Sequence, residues 1–186
     1  DPKALDFTLK IAGACSAALF NFPMPVICVI NGHCMAYGAV LAIFSDYRFI
    51  SDKGARIGFP EINVGLGFPV FTGLILQDLV GATNARDILY LGRAFKSEEA
   101  KKMGLVDEII PQDELYDKAF KFAAKMSTVS VSAIKDIKKS LRYRYALIAS
   151  EVAEYDSKKS ITMLNTHDAK EGFKSILEKR RPVFHE

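Results

Sequence analysis

Val26-Ile27-Cys28-Val29-Ile30 is an unbroken apolar run, mostly β-branched, set between Pro25 and the turn pair Asn31-Gly32. A strand with one wet face alternates polar and apolar residues; this run does not. It suits a strand covered on both faces, as in a parallel sheet. A second segment, Ala39-Val40-Leu41-Ala42-Ile43-Phe44, follows Gly38 and is apolar on all sides, which predicts a buried helix. Asp46 to Ser51 reads as another strand. An α/β core follows from these three segments.

The rest of the chain divides in two. Lys3 to Phe20 has helical spacing, with Leu5, Leu9, Ala12 and Ala17 to Leu19 able to share a face, and Pro23 and Pro25 end it. Residues 56–67 (RIGFPEINVGLG) read as a glycine-rich loop. Helices follow around Phe71 to Leu79 and from Thr83 to Leu91, with Gly81 and Gly92 after them. Ser97 is expected to cap a further helix carrying Glu98 and Glu99 in its first turn. Leu105 to Ile110 reads as a short strand, and Asp113 to Met126 as a helix. Beyond Ser127 no strand is expected. Three amphipathic helices, 133–145, 146–164 and 168–179, complete the chain, and Asp168-x-x-Glu171 resembles a capping box. The boundaries are therefore 1–126 for the α/β core and 127–186 for a helical region.

Composition excludes several classes. The 186 residues suit one domain, or one with an appendage. Lys and Arg number 25 against 22 Asp and Glu, so the net charge of +3 gives no footprint for nucleic acid. No apolar stretch is long enough to span a membrane. Cys15, Cys28 and Cys34 lack metal-ligand spacing and read as reduced thiols of an intracellular protein. The chain starts Asp1-Pro2-Lys3, without Met or a signal segment, and is expected to be incomplete.

Two positions could carry chemistry. The turn into the helix at Gly38 offers first-turn backbone N–H groups, which stabilise developing negative charge, and Gly admits a close approach. A tight turn without a ligand is the alternative. Glu61 sits among Phe59, Pro60, Ile62 and glycines, where desolvation would raise its pKa and suit it to proton transfer; the alternative is a surface acid. His33, His167 and His185 lack metal spacing. Asp46 reads as a turn or cap residue. Lys135, Lys138, Lys139 and Arg142 read as a solvated basic face, with an anion or partner site as the alternative.

The ordered motifs resemble the crotonase superfamily of enoyl-CoA hydratases and isomerases. The matching pieces are 25–32 (PVICVING), 36–42 (AYGAVLA) with Ser45-Asp46-Tyr47-Arg48, 57–61 (IGFPE) with Val64-Gly65-Leu66, 100–107 (AKKMGLVD), 168–173 (DAKEGF) and 178–184 (EKRRPVF). The resemblance implies a partial crotonase-like ββα spiral core followed by an all-helical trimerisation region. It implies an acyl-CoA substrate, with coenzyme A part of that substrate and no separate cofactor or metal. The assembly implied is a homotrimer or a hexamer. Two backbone N–H groups hold the thioester oxygen in this family; Gly38 matches one donor, and the upstream segment that supplies the other has no counterpart here.

Glu61 matches the family's second acid, and the first falls at Val40. That pattern resembles the Δ3,Δ2-enoyl-CoA isomerase subgroup, in which one carboxylate moves a proton from C2 to C4. Tyr37 replaces a common Gly and would shape the acyl pocket. Lys179 falls where the family places a basic residue near the nucleotide end of CoA. The alternatives are another crotonase activity, such as a hydratase, hydrolase or decarboxylase, or a non-catalytic acyl-CoA-binding protein. A cytoplasmic location is expected, or a mitochondrial or peroxisomal one in a eukaryote.

Overall fold

The computed structural model describes residues 2–184, apart from the side chains of residues 2–6 and 9. Asp1, His185, Glu186 and the side chains of Leu5 and Leu9 lie outside the described residues.

After helix α1 (Pro2–Phe20), the chain steps repeatedly between two small sheets. Strand β1 (Ile27–Ile30) is followed by β2 (Cys34–Met35) and helix α2 (Tyr37–Phe44). Then come β3 (Tyr47–Ser51), β4 (Arg56–Gly58) and a 3-10 helix (Glu61–Val64). Helices α3 (Val70–Val80) and α4 (Ala82–Leu91) precede β5 (Ala94–Lys96), α5 (Ser97–Lys102), β6 (Glu108–Ile110) and α6 (Leu115–Met126). The first sheet has the order β1-β3-β6, all parallel. The second has the order β2-β4-β5, with β2 parallel and β5 antiparallel to β4. Strand, strand, helix, with the two strands in different sheets, is the spiral repeat expected from the motifs. Helices α7 (Val131–Leu141), α8 (Tyr143–Leu164) and α9 (His167–Leu177) form the tail.

The core lies between the sheets and helices α2 to α5. Ala39, Ala42, Ile50, Ile57, Leu76, Ile88 and Leu105 are fully buried there. Two expectations about strands need correction. β1 is at the edge of its sheet, and only Ile30 of its residues is buried; the strand covered most completely is the central β3. The segment read as one loop from residue 56 begins with β4, whose Ile57 and Gly58 are buried. β2 and β5 were also unanticipated. Strands of two or three residues leave no readable periodicity.

The caps differ as well. Ser97 does not cap α5: it is the first helical residue, and its hydroxyl donates to the Ser51 carbonyl at 2.7 Å. α9 is capped by Thr166, whose Oγ1 accepts from the Ala169 N–H at 3.1 Å, and not by Asp168. Glu171 accepts instead from the Arg180 guanidinium and from the Val183 N–H.

The basic face of α7 is not wholly solvated. Lys138 and Arg142 turn inward onto Asp46, with Nζ 2.6 Å from Oδ2 and the guanidinium 2.8 Å from Oδ1. Asp46 Oδ2 also accepts the Val26 N–H at 2.7 Å. One carboxylate thus joins the approach to β1 to the tail.

Candidate active site

Glu61, Tyr37 and Val40 line one cavity of about 970 Å³. Its walls come from α1 (Ala12 to Ala17), α2, the segment from Glu61 to Pro69, the start of α3, and helices α7 and α8. The lining is mainly apolar, with Phe20, Phe44, Leu66, Phe68 and Phe71 prominent.

Backbone pairing sets Glu61 opposite α2. Met35 of β2 pairs with Gly58 of β4, and the Ala36 N–H donates to the Gly58 carbonyl at 3.0 Å. The two strands then diverge, one into α2 and the other through Phe59 and Pro60 to Glu61. Ala36 carries the turn with φ 51°, a conformation costly for a residue with a Cβ. Nothing in the pattern of small residues distinguished it beforehand.

Glu61 opens the 3-10 helix. Its Oε2 is buried and has no hydrogen-bond partner among the described residues. Desolvation pushes the carboxyl above the ordinary carboxylate range, with a smaller opposing effect from its own backbone N–H. The expected apolar setting is therefore present, and the side chain is not a solvated surface acid.

The cavity wall has one other carboxylate among the described residues, Asp156 of α8. Its two oxygens accept the Val70 and Phe71 N–H groups at 2.7 and 3.0 Å, at the N-terminus of α3. It is held as a helix cap. Sequence reading missed it, since an isolated acid inside an amphipathic helix carries no signal for a partner 86 residues away.

On α2, Tyr37 and Val40 are one turn apart on the cavity side. The Tyr37 hydroxyl donates to the Ala12 carbonyl at 2.7 Å and accepts from Ser16 Oγ at 3.2 Å, tying α1 over the cavity. Burial raises its pKa. Gly38 is exposed and is not part of the wall, but it lies in the first turn of α2, where amides have no acceptor within the helix.

Lys135 and Lys139 join the wall from α7. Lys179 lies just past α9, with φ 53°, and does not line the cavity. Cys15, Cys28 and Cys34 are free thiols; burial pushes Cys34 up to about 12, so it is unreactive near neutral pH. Among the described residues no group of His, Cys, Asp and Glu could hold a metal ion, and no helix is long and apolar enough to cross a membrane.

The family model for enoyl-CoA hydratase/isomerase matches residues 12–186. A Dictyostelium discoideum protein named "Probable enoyl-CoA hydratase, mitochondrial" is 31% identical over 162 residues, which are 87% of this chain and 58% of that protein. The chain thus spans less than two thirds of that relative's length. The solved enoyl-CoA hydratase/isomerase of Pseudoalteromonas atlantica T6c superposes with a TM-score of 0.84 at 25% identity, covering 91% of this chain and 68% of the other. A methylmalonyl-CoA decarboxylase superposes with a TM-score of 0.81 at 20% identity, covering 91% and 67%, which shows a shared fold alone. A fold common to differently named enzymes leaves the reaction to be argued from the site.

Proposed function

The chain belongs to the enoyl-CoA hydratase/isomerase family, and from that membership we propose that its cavity takes an acyl-CoA thioester on which Glu61 acts as the single acid–base group. The reaction that fits is the Δ3,Δ2 isomerisation of an enoyl-CoA. The Glu61 carboxylate takes a proton from C2. The electrons of that C–H bond form the C2=C3 double bond of the product, passing through a dienolate on the thioester oxygen. Glu61 then returns the proton to C4, where the electrons of the old C3=C4 bond receive it. Atoms balance with no water consumed.

The observation that carries this reading is Oε2 of Glu61, which has no partner among the described residues, in a mainly apolar wall whose other described carboxylate is engaged by two backbone N–H groups. A water-adding route by the family's two acids lacks its first acid, because Val40 stands there. A shuttle that gives back the same proton needs one base whose pKa lies above the ordinary carboxylate range, and burial moves Glu61 in that direction. In this reading Tyr37 and Val40 bound the acyl chain, Gly38, which lies outside the wall, donates its first-turn amide to a thioester oxygen at the mouth of the cavity beside α2, and Lys179 reaches the nucleotide end of CoA. Coenzyme A enters as part of the substrate, and no separate cofactor is needed. A homotrimer or hexamer remains part of the proposal through the tail.

The test is incubation with a 3-enoyl-CoA while the conjugated 2-enoyl product is followed by absorbance. Turnover that drops 10²–10⁴-fold in Glu61→Gln is the expected result. Equal turnover in that variant removes Glu61 from the chemistry. Saturable binding of CoA esters without turnover would make the chain a binding protein instead.

A further inference from the structure

The motif 168–173 (DAKEGF) contributed to the family resemblance without a role of its own, and the structure supplies one. α9 packs on the 3-10 helix that carries Glu61, backbone against backbone. A Cβ built at Gly172 would come within 2.4 Å of the Val64 carbonyl oxygen and 2.5 Å of its Cα. From the other side of the contact, Gly65 has φ 68°, and a Cβ there would come within 2.6 Å of the Asp168 carbonyl carbon. Two glycines therefore let the helices approach to a distance no side chain permits. Backbone atoms cannot rotate away as a side-chain tip can, so any Cβ at 172 must move one helix or the other.

The 3-10 helix is short and receives its shape from such outside contacts. Internally it has the Asn63 N–H to Pro60 and Leu66 N–H to Glu61 carbonyl bonds, at 2.9 and 3.1 Å. On the side of α4, Asn63 Nδ2 donates to the Gly92 carbonyl at 2.7 Å. α9 is itself fixed, by the Thr166 cap and by the bonds from Arg180 and Val183 to Glu171.

We infer that Gly172 is a positioning residue: its contact with Val64 makes α9 the support that sets where the Glu61 carboxylate stands in the cavity. This rests on the reading of Glu61 as the base. Misplacing a catalytic group by about 1 Å costs on the order of 10²-fold in rate, so a small displacement here has a large kinetic effect while leaving the acyl pocket of α1 and α2 in place.

The experiment compares wild type, Glu61→Gln and Gly172→Ala in isomerase turnover, and follows the carboxyl titration of 13C-labelled Glu61 by NMR in the substrate-free chain. For Gly172→Ala we expect kcat to fall by 10–100-fold with KM within about twofold. We also expect the Glu61 titration to move toward the ordinary carboxylate range as the group gains water. A normal kcat with an unchanged titration overturns the inference, and so does a raised KM with kcat intact. If Glu61→Gln retains turnover, the base assignment fails by itself; the titration then still decides whether α9 positions Glu61. If Gly172→Ala does not fold, Thr166→Ala takes its place, since it loosens α9 without adding volume. A lowered kcat at constant KM in Thr166→Ala supports the inference, and unchanged kinetics overturn it.

Discussion

Glu61 and Asp156 share the wall of one cavity in opposite states: both oxygens of Asp156 accept backbone N–H groups, while Oε2 of Glu61 is buried without a partner among the described residues. One acid holds helix α3; the other is left chemically available. The contrast assigns different consequences to the two otherwise similar side chains.

Glu61 carries a stability cost that depends on pH. Burial raises its pKa, so the folded chain binds this proton more tightly than the unfolded chain does. The folded state is then least penalised below the ordinary carboxylate range and loses stability as pH rises through the raised value. Glu61→Gln removes that titration. Its thermal midpoint should exceed that of wild type at pH 7, and the gap should close toward about pH 4. A gap independent of pH contradicts the assignment. In the same range, kcat/KM of the wild type should rise along an acid limb lying above the usual carboxylate pKa.

Asp156→Ala uncaps α3. Two first-turn amides lose a charged acceptor, and the expected loss is about 1–2 kcal/mol. For a chain of this length that amounts to roughly 2–8 °C in midpoint, measurable by calorimetry.

Asp46→Asn should be more damaging. It leaves the largely covered Lys138 and Arg142 without their shared counter-charge. Removing one side of such a cluster costs about 3–5 kcal/mol. Replacing Lys138 by Met in the same background should recover part of the loss; no recovery would show that the charge imbalance is not the cause.

Val40→Glu puts a second carboxylate on the cavity wall, one helical turn from Tyr37. The outcome expected is measurable hydration of a 2-enoyl-CoA, absent from wild type, and a further upward shift of Glu61 through like-charge repulsion. Should neither occur, Val40 does not face the reacting carbons.

Much of this architecture is legible in residue order. The strand within 26–30, the all-apolar α2 and the change to amphipathic helices after Met126 each follow from local pattern, whereas the neighbours of Glu61 leave it open between a desolvated and a surface acid. Two-residue and three-residue strands are not legible, because pairing with distant strands makes them, not their own periodicity. The inward turn of Lys138 and Arg142 likewise depends on Asp46, which lies 92 and 96 positions away. For the same reason the sequence points to Asp168 as the cap where the structure has Thr166: both are good cap residues, and packing of α9 chooses between them. The candidate base stands out through the family resemblance, its neighbours in sequence leaving both readings open, whereas the engaged state of Asp156 and the contact of Gly172 with Val64 exist only once the tail is docked.

The Asp46 cluster makes the helical tail and the approach to β1 share one charge balance. An ancestor that exchanged its last helices with a relative would have inherited a stranded negative charge beside β1, unless the incoming segment brought its own cations in matching places. Core and tail are coupled through this charge, and chimeras joined near residue 127 should lose stability where the donor helix lacks a cation at the 138 or 142 position.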